Sequence, residues 1–480
     1  MLHASTLQGG QEILAGIAET DITPPVGFPM AGYFHERLAE GAIDPLKAKA
    51  VVFRSGDQQA AFVICDLIAA SADFTIEVRN RASAKTGIPP QNIVVSATHS
   101  HTAPDYSKSL YAFLRAKDQT SQSETGQLRM TYIASLLDQT AQAIILAHRA
   151  AAPVTLASAS LEQQVPVAFN RRFVQRDGSV RTWVGLEHPD SVRSAGPIDP
   201  EIGLLLVRDQ QGVPKSLISN FALHLDTVGG SKWSADYPFF ISQAVQKAFG
   251  PDVVSVFGTG CCGDINHVNP RGKDRNKTDF IGNALGTTIT EGLTHLTVID
   301  EPRLEVRTGV VQLPLQEATA DDITKDVRIM KTARAGTAVD FVDHVTAHRR
   351  LMIDQLRNVP RHAQGEDAAT ALMMTSHWEG VGDSLPAEVQ VIAFGKDAAI
   401  VFLPGEVFVE LGLAIKRGSP YRTTMVIELS NCVETFYVPT RAAFAGGGYE
   451  VTNSTLKPGG GEMLVEEALR LLRSAASADR

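Results

Sequence analysis

The apolar positions of this chain fall into two rhythms, short strand-like runs and longer helical ones, that alternate for most of its length. Residues 48–54 (AKAVVFR) and 60–66 (AAFVICD) flank the turn-like SGDQQ and predict a hairpin. A helical pattern follows over 73–86 and stops at Gly87, ahead of Pro89-Pro90. The β-branched run NIVVSA then leads into THSHTAPD. Over 128–149, Leu128, Tyr132, Ile133, Leu136, Leu137, Ile144 and Ile145 recur at helical spacing.

Further along, 164–184 turns on Asp177-Gly178 and reads as a second hairpin. Residues 202–208 and 215–223 form another strand pair, the second ending at His224, and VVSVFG (253–258) runs into a loop rich in Gly, Cys, Asp and Asn. From about 317 to 380 the pattern turns helical and polar, as a helical insertion would. Two strands around 388–403 precede a Pro-Gly-Glu turn and a helix through Ile415, and a last helix follows Gly459-Gly460-Gly461. There is no internal repeat or low-complexity linker. The pattern predicts an α/β fold with mixed β-sheets flanked by helices, in one domain over 1–480.

Composition narrows the classes of function. The net charge is −9, with no dense Lys/Arg run, which excludes an electrostatic nucleic-acid binder. The first residues, MLHASTLQGGQEILAG, show neither a basic nor an apolar leader region, so a secretory signal is not expected. Apolar runs are strand-sized, well short of the ~20 residues of a membrane span. Four cysteines, with Cys261 and Cys262 adjacent, do not make a disulfide framework. Cytoplasmic residence without stable membrane association is the expectation; oligomeric state is not encoded legibly.

Candidate chemistry sits just beyond predicted strand ends, where α/β enzymes gather their sites. His99 and His101 follow NIVVSAT, His224 follows SLISNFAL, GCCGDINHVNP follows VVSVFG, and Glu406 follows IVFLPG. Two or three histidines with a carboxylate make the ligand set of a catalytic zinc or a related divalent metal. Such a metal acidifies water and polarises a carbonyl. Each signal alone has a plainer reading. The H-x-H pair fits a hydrogen-bonded polar loop, His224 a satisfied strand-end histidine, and Glu406 a first-turn acid of a 406–416 helix. His344 and His348, spaced i, i+4 without an HExxH glutamate, read as a solvated helix face. Asp236 reads as a helix cap and Asp21 as a turn-forming acid.

Taken in order, AGIAETDITPPVGFPMAGY, VVSATHSHTAPD, SNFALHLDTVGG, GCCGDINHVNP, LPGEVFVELG and FYVPTRAAFAGGGYE resemble the neutral/alkaline non-lysosomal ceramidase family over roughly residues 13–470. The resemblance implies a ceramidase-catalytic-domain-like fold and a zinc-dependent amidase that cleaves an N-acyl bond. It implies His99, His224, Glu406 and Tyr437 as metal ligands, with His101 beside the metal in a supporting or proton-transfer role. It also implies that Arg171 contacts substrate and that Tyr449 reaches the reacting group. A tyrosine ligand would need the metal or nearby cations to bind as phenolate.

Two departures from the family shape the functional expectation. The family's serine in the GCCGDINHVNP loop aligns with Asn266, which can donate to an oxyanion but cannot act as a nucleophile. The chain also ends about one helix after GGGYE, without the C-terminal β-sandwich of secreted ceramidases. The expected activity is hydrolysis of an amide in a small soluble substrate by metal-activated water. His101 or Asp264 would shuttle the proton, and Arg171 and Tyr449 would stabilise the oxyanion. The alternatives are a metal-dependent esterase, lactonase or sugar deacetylase, and a catalytically degenerate ligand-binding homologue.

Overall fold

The computed structural model describes residues 12–107, 110, 124–272, 274–358 and 377–477. Its main sheet is built from β1 (Leu14–Asp21), β2 (Lys47–Ser55), β3 (Gln58–Cys65), β4 (Ile93–Ala97), β5 (Ala152–Glu162), β6 (Glu201–Asp209), β7 (Pro214–Phe221) and β8 (Val254–Thr259). They lie in the order β8-β7-β6-β5-β1-β2-β3-β4, and the short strand Thr297–Val298 pairs with β5. The expected β2–β3 hairpin is present, closed by Ser55 opposite Gln58. Only the outermost steps, β3 to β4 and β7 to β8, are parallel. A parallel step needs a crossover, and the chain supplies α1 (Ala72–Thr86) for the first; α2 (Glu124–Arg149) follows β4, and α3 (Tyr237–Phe249) makes the second crossover. Ser71 and Gly87 cap α1, and Asp236 caps α3, as their residue types predict.

A second sheet, β9 (Leu304–Pro314), β10 (Ser384–Phe394), β11 (Ala398–Phe402) and β12 (Thr423–Ile427), lies against the inner face of the first. Its apolar side chains mesh with those of the main sheet in one core, where Phe53 meets Phe394 edge-on at 4.7 Å. Such a ring pair contributes about 0.5–1.5 kcal/mol beyond its burial. Helices cover the outer faces. α1 and α2 pack on β1–β4; α3 and α4 (Thr278–Glu291) pack on the β5–β8 half. The second sheet's outer face takes α7 (Val409–Gly418) and α8 (Gly460–Ser477). The predicted mixed sheets flanked by helices are therefore observed.

One closure positions the site. The sheet curls until its edges meet, and residues 428–431, just past β12, stitch them. Ala97 N–H donates to Leu429 O (3.2 Å), Asn431 N–H to Val95 O (2.7 Å) and Glu428 N–H to Thr259 O (3.0 Å). Thr259 Oγ1 donates directly to Thr98 O at 2.7 Å. The loop after β4, at one end of the strand order, and those after β7 and β8, at the other, thereby open onto one point.

Between β9 and β10 lie α5 (Ala320–Arg334) and α6 (Phe341–Arg357), where the polar helical insertion was expected; residues 359–376 of that segment fall outside the described ones. Among the described residues, no helix is long and apolar enough to cross a membrane.

Candidate metal centre

His99 leaves β4 with φ +75°, a left-handed conformation unusual for a residue with a side chain. Leu429, Asn431 and Phe436 share that region of φ and surround the same place, so strain concentrates here. The twist points the His99 ring inward, where its Nδ1 donates to Ile68 O at 2.7 Å. His224, three residues past β7, is likewise held through Nδ1 by Cys262 O at 3.0 Å. Each carbonyl demands a proton on Nδ1, which leaves a lone pair on Nε2. Those two Nε2 atoms face each other at 3.0 Å, and His101 Nε2 stands 3.4 Å from that of His99.

Glu406 completes the cluster. It was open to reading as a first-turn helical acid, but Glu406–Val407 is a short strand paired in parallel with Tyr437–Val438, and α7 begins only at Val409. The pairing sets Glu406 directly beside Tyr437. Glu406 Oε2 lies 3.4 Å from His99 Nε2 and 3.6 Å from His224 Nε2, yet is buried without a hydrogen-bond partner. Two nitrogen lone pairs and an orphaned carboxylate oxygen converging on one buried point repel one another. A cation between them removes the repulsion, so the donor set fits a divalent transition metal.

The electrostatics agree. Burial alone would raise Glu406, but His99 and His224 hold its carboxyl down at about 2. Burial, then Arg171 and His99, push His224 well below the usual imidazole range, so it stays neutral as a ligand must. His101 is pushed down to about 4 by burial and by His99. His99 is opposed by burial but raised by Glu406, the field that would equally favour a metal cation. The three imidazole nitrogens all lie within 4.8 Å of one another, so His101 has a ligand's position as well as a neighbour's.

Arg171 is buried behind this cluster. It donates to Glu450 Oε1 (2.8 Å), Gly263 O (2.9 Å), Tyr437 Oη (2.9 Å) and His224 Nε2 (3.3 Å). Burial and the neighbouring acid Glu406 hold the Tyr437 phenol well above its ordinary pKa, against the pull of Arg171. Tyr449 lines the cavity above, its ring 5.7 Å from that of Tyr437, and burial raises its pKa so that it keeps its proton. The cavity, about 310 Å³, has His99, His101, Glu406 and Tyr437 along its floor.

Two expected participants are turned elsewhere. Asp264 accepts from Val409 N–H (2.9 Å) and Asn170 Nδ2 (2.7 Å), bracing α7 rather than facing the cavity. Asn266 Oδ1 accepts from its own loop at Val268 N–H (3.1 Å), and its side chain is buried outside the cavity lining. The structure therefore aims neither side chain at the cavity: cap bonding at Val409 has claimed the Asp264 carboxylate, and Asn266 lies outside the cavity lining.

Burial lifts the Asp264 carboxyl to about 6, so folding binds a proton there that the unfolded chain has released. Its contribution is present below about pH 4 and is lost as pH rises through about 6. The stability of Asp264→Asn relative to the parent should therefore improve between those pH values and level off above, as followed by urea unfolding across pH.

Glu428, which no sequence pattern singles out, supports two ligands at once. Its carboxyl takes Val407 N–H at 2.6 Å, next to Glu406, and the Cys262 thiol at 3.0 Å, on the residue whose carbonyl orients His224. Burial, with the nearby Glu406, raises it well above the carboxylate range. Supports of this kind are worth about 10–100-fold in metal affinity. Glu428→Ala should weaken metal binding by that factor, and the neutral isostere Glu428→Gln should keep most of it, measured by chelator competition.

No family model and no curated protein matches this sequence. Solved structures do. A neutral ceramidase from Pseudomonas aeruginosa superposes with a TM-score of 0.68 at 18% identity, over 98% of this chain and 74% of that one. A ceramidase complexed with C2 gives a TM-score of 0.68 at 19% identity, over 98% and 75%. At these identities the likeness establishes a shared fold.

Proposed function

We propose that this chain is a ceramidase-like hydrolase, one catalytic unit that cleaves an amide bond in a small soluble substrate with the help of a divalent metal, zinc. The observation that carries the reading is the convergence of His99 Nε2, His224 Nε2 and the orphaned Glu406 Oε2 on one buried point at a cavity floor. His99, His224, Glu406 and Tyr437 would hold the metal, with His101 beside it. Bound there, the metal would polarise the scissile carbonyl and acidify a water.

The chain's own groups supply the rest. His101, neutral and facing the cavity, takes a proton on Nε2 and returns it to the leaving nitrogen. The Tyr449 hydroxyl, protonated across the working pH range, donates to the developing oxyanion. Arg171 holds Tyr437 and His224 in place from behind, and its charge favours a negative transition state. With Asn266 where the family has serine, no acyl-enzyme forms on that residue. The charged insertion and the modest cavity favour a compact polar substrate, and cytoplasmic residence fits that choice.

Zinc-type chemistry attacks amide and ester carbonyls alike, so a panel of N-acyl and O-acyl compounds assayed on the metal-loaded protein tests the bond. Turnover of the amides supports the reading. Cleavage of esters or acetylated sugars alone moves it to an esterase or deacetylase, and absence of any turnover moves it to a ligand-binding homologue.

A further inference from the structure

Trp183 is held in a conformation that strains a bulky residue. It follows the short strand Val180–Thr182 with φ +64°, in the left-handed region that a side chain of its size rarely enters. Burial in the core does not offset the strain, because the residue is 49% exposed. Bonds to the site's own framework fix it there. Trp183 N–H donates to Arg171 O at 2.9 Å, and Thr182 Oγ1 donates to Glu450 Oε2 at 2.8 Å. The Arg171 guanidinium, which backs the metal centre, also lies over the indole at 5.6 Å from its centroid. Strained residues of this kind cluster at ligand sites, where the surrounding structure over-determines them.

The indole meets Tyr449, which lines the cavity, at 4.7 Å between centroids. The glycines before Tyr449 permit that contact. A Cβ on Gly446 would stand 2.6 Å from Val180 Cγ2, and one on Gly448, at φ +100°, 3.2 Å from Val180 O. The GGGYE run therefore lets the Tyr449 segment lie directly on the strand before Trp183. Tyr449 is also parallel to Phe341 at 6.1 Å, and Phe341, 48% exposed, meets Phe34 edge-on at 5.6 Å. Rings from four remote segments thus form one exposed aromatic edge, joined to the cavity through Tyr449. Contiguous exposed apolar surface marks a place that binds something. Here it is the part of a substrate that extends past the reacting bond. A flat ring suits such an edge best. Its C–H bonds meet the negative faces of the aromatic rings, and it has less conformational freedom to lose than an alkyl chain.

We infer that Trp183 is a specificity-determining residue: with Tyr449 and Phe341 it stacks a ring of the substrate at the cavity mouth. The substrate class is then an N-acyl compound with a flat ring, an arene or a pyranose, next to the scissile amide bond. This rests on the hydrolase reading above.

The test compares N-butylacetamide, which has no ring, with N-benzylacetamide and N-acetylglucosamine, ringed on the amine side, and N-butyl-2-phenylacetamide, ringed on the acyl side. At least one ring compound should exceed N-butylacetamide in kcat/KM. Trp183→Ala should lower that ratio by about 2- to 10-fold, chiefly through KM, while metal content holds. Trp183→Phe, which keeps a ring, should retain most of the ratio, and the compound that loses most identifies the kind of ring and its side. A ratio unchanged in Trp183→Ala, an equal loss on all four compounds, or N-butylacetamide as the best substrate of the parent overturns the inference. Saturation-transfer NMR of the same compounds separates the two levels. If nothing is cleaved but a ring compound binds and Trp183→Ala loses it, the stacking edge stands and the hydrolase reading falls. If none binds and nothing is cleaved, both fall.

Discussion

Alanine at His224 is expected to lower kcat/KM by a factor on the order of 10³ or more and to strip the protein of stoichiometric metal. The size follows from how the residue is built in. His224 is 1% exposed, its Nδ1 is fixed by Cys262 O, and its Nε2 sits 3.0 Å from His99 Nε2 and 3.6 Å from Glu406 Oε2. Removing it deletes one donor and leaves Arg171 Nη1 without the lone pair it meets at 3.3 Å. A fold defect is distinguishable from a metal defect by circular dichroism and urea unfolding of both apo proteins, which should nearly coincide. Elemental analysis alongside steady-state kinetics checks the rest. Full metal content with lost activity would move His224 from ligand to substrate contact.

Arg171→Met should produce the largest loss of stability, about 3–5 kcal/mol, because it breaks a buried ion pair from one side. The Arg171 and Glu450 side chains are 2% and 0% exposed, and they meet at 2.8 Å. Glu450 keeps Arg172 at 3.2 Å and Thr182 at 2.8 Å, which places the cost nearer the lower bound. Gly263 O and Tyr437 Oη, both at 2.9 Å from the guanidinium, would lose a donor as well. Adding Glu450→Gln to Arg171→Met removes the stranded charge and should recover part of the loss. Urea midpoints of the parent, both single variants and the double give the coupling directly. If the double variant is no more stable than Arg171→Met, the ion pair is not what the arginine holds.

Local signals in the sequence carry a good part of this. The β2–β3 hairpin, α1 between Ser71 and Gly87, and the strand ends before His99 and His224 follow from pattern and cap chemistry. What the pattern misreads depends on partners distant in the chain. Glu406 is on a strand because Tyr437, thirty-odd residues on, pairs with it. His344 and His348 line the cavity and pack on Phe34, some three hundred residues earlier in the chain. Asp264 and Asn266 are polar loop residues beside a candidate site, and nothing in their spacing says that Val409 and Val268 N–H groups claim them. Glu450 at least follows Tyr449 within the GGGYE motif. Glu428 leaves no trace at all, because its two partners lie 21 and 166 residues away. The closure of the sheet by residues 428–431 is equally silent, being a property of curvature and not of any one strand.

The proposed activity depends on one arrangement, the convergence of His99, His224 and Glu406 on a cation. Elemental analysis of the full chain, purified without chelators and without an added affinity metal, tests it most directly. The expected result is a divalent transition metal, zinc foremost, at about one per chain, removed by dialysis against chelator and absent from His224→Ala. Metal-free protein that takes up no zinc, manganese or related ion at micromolar concentration would contradict it.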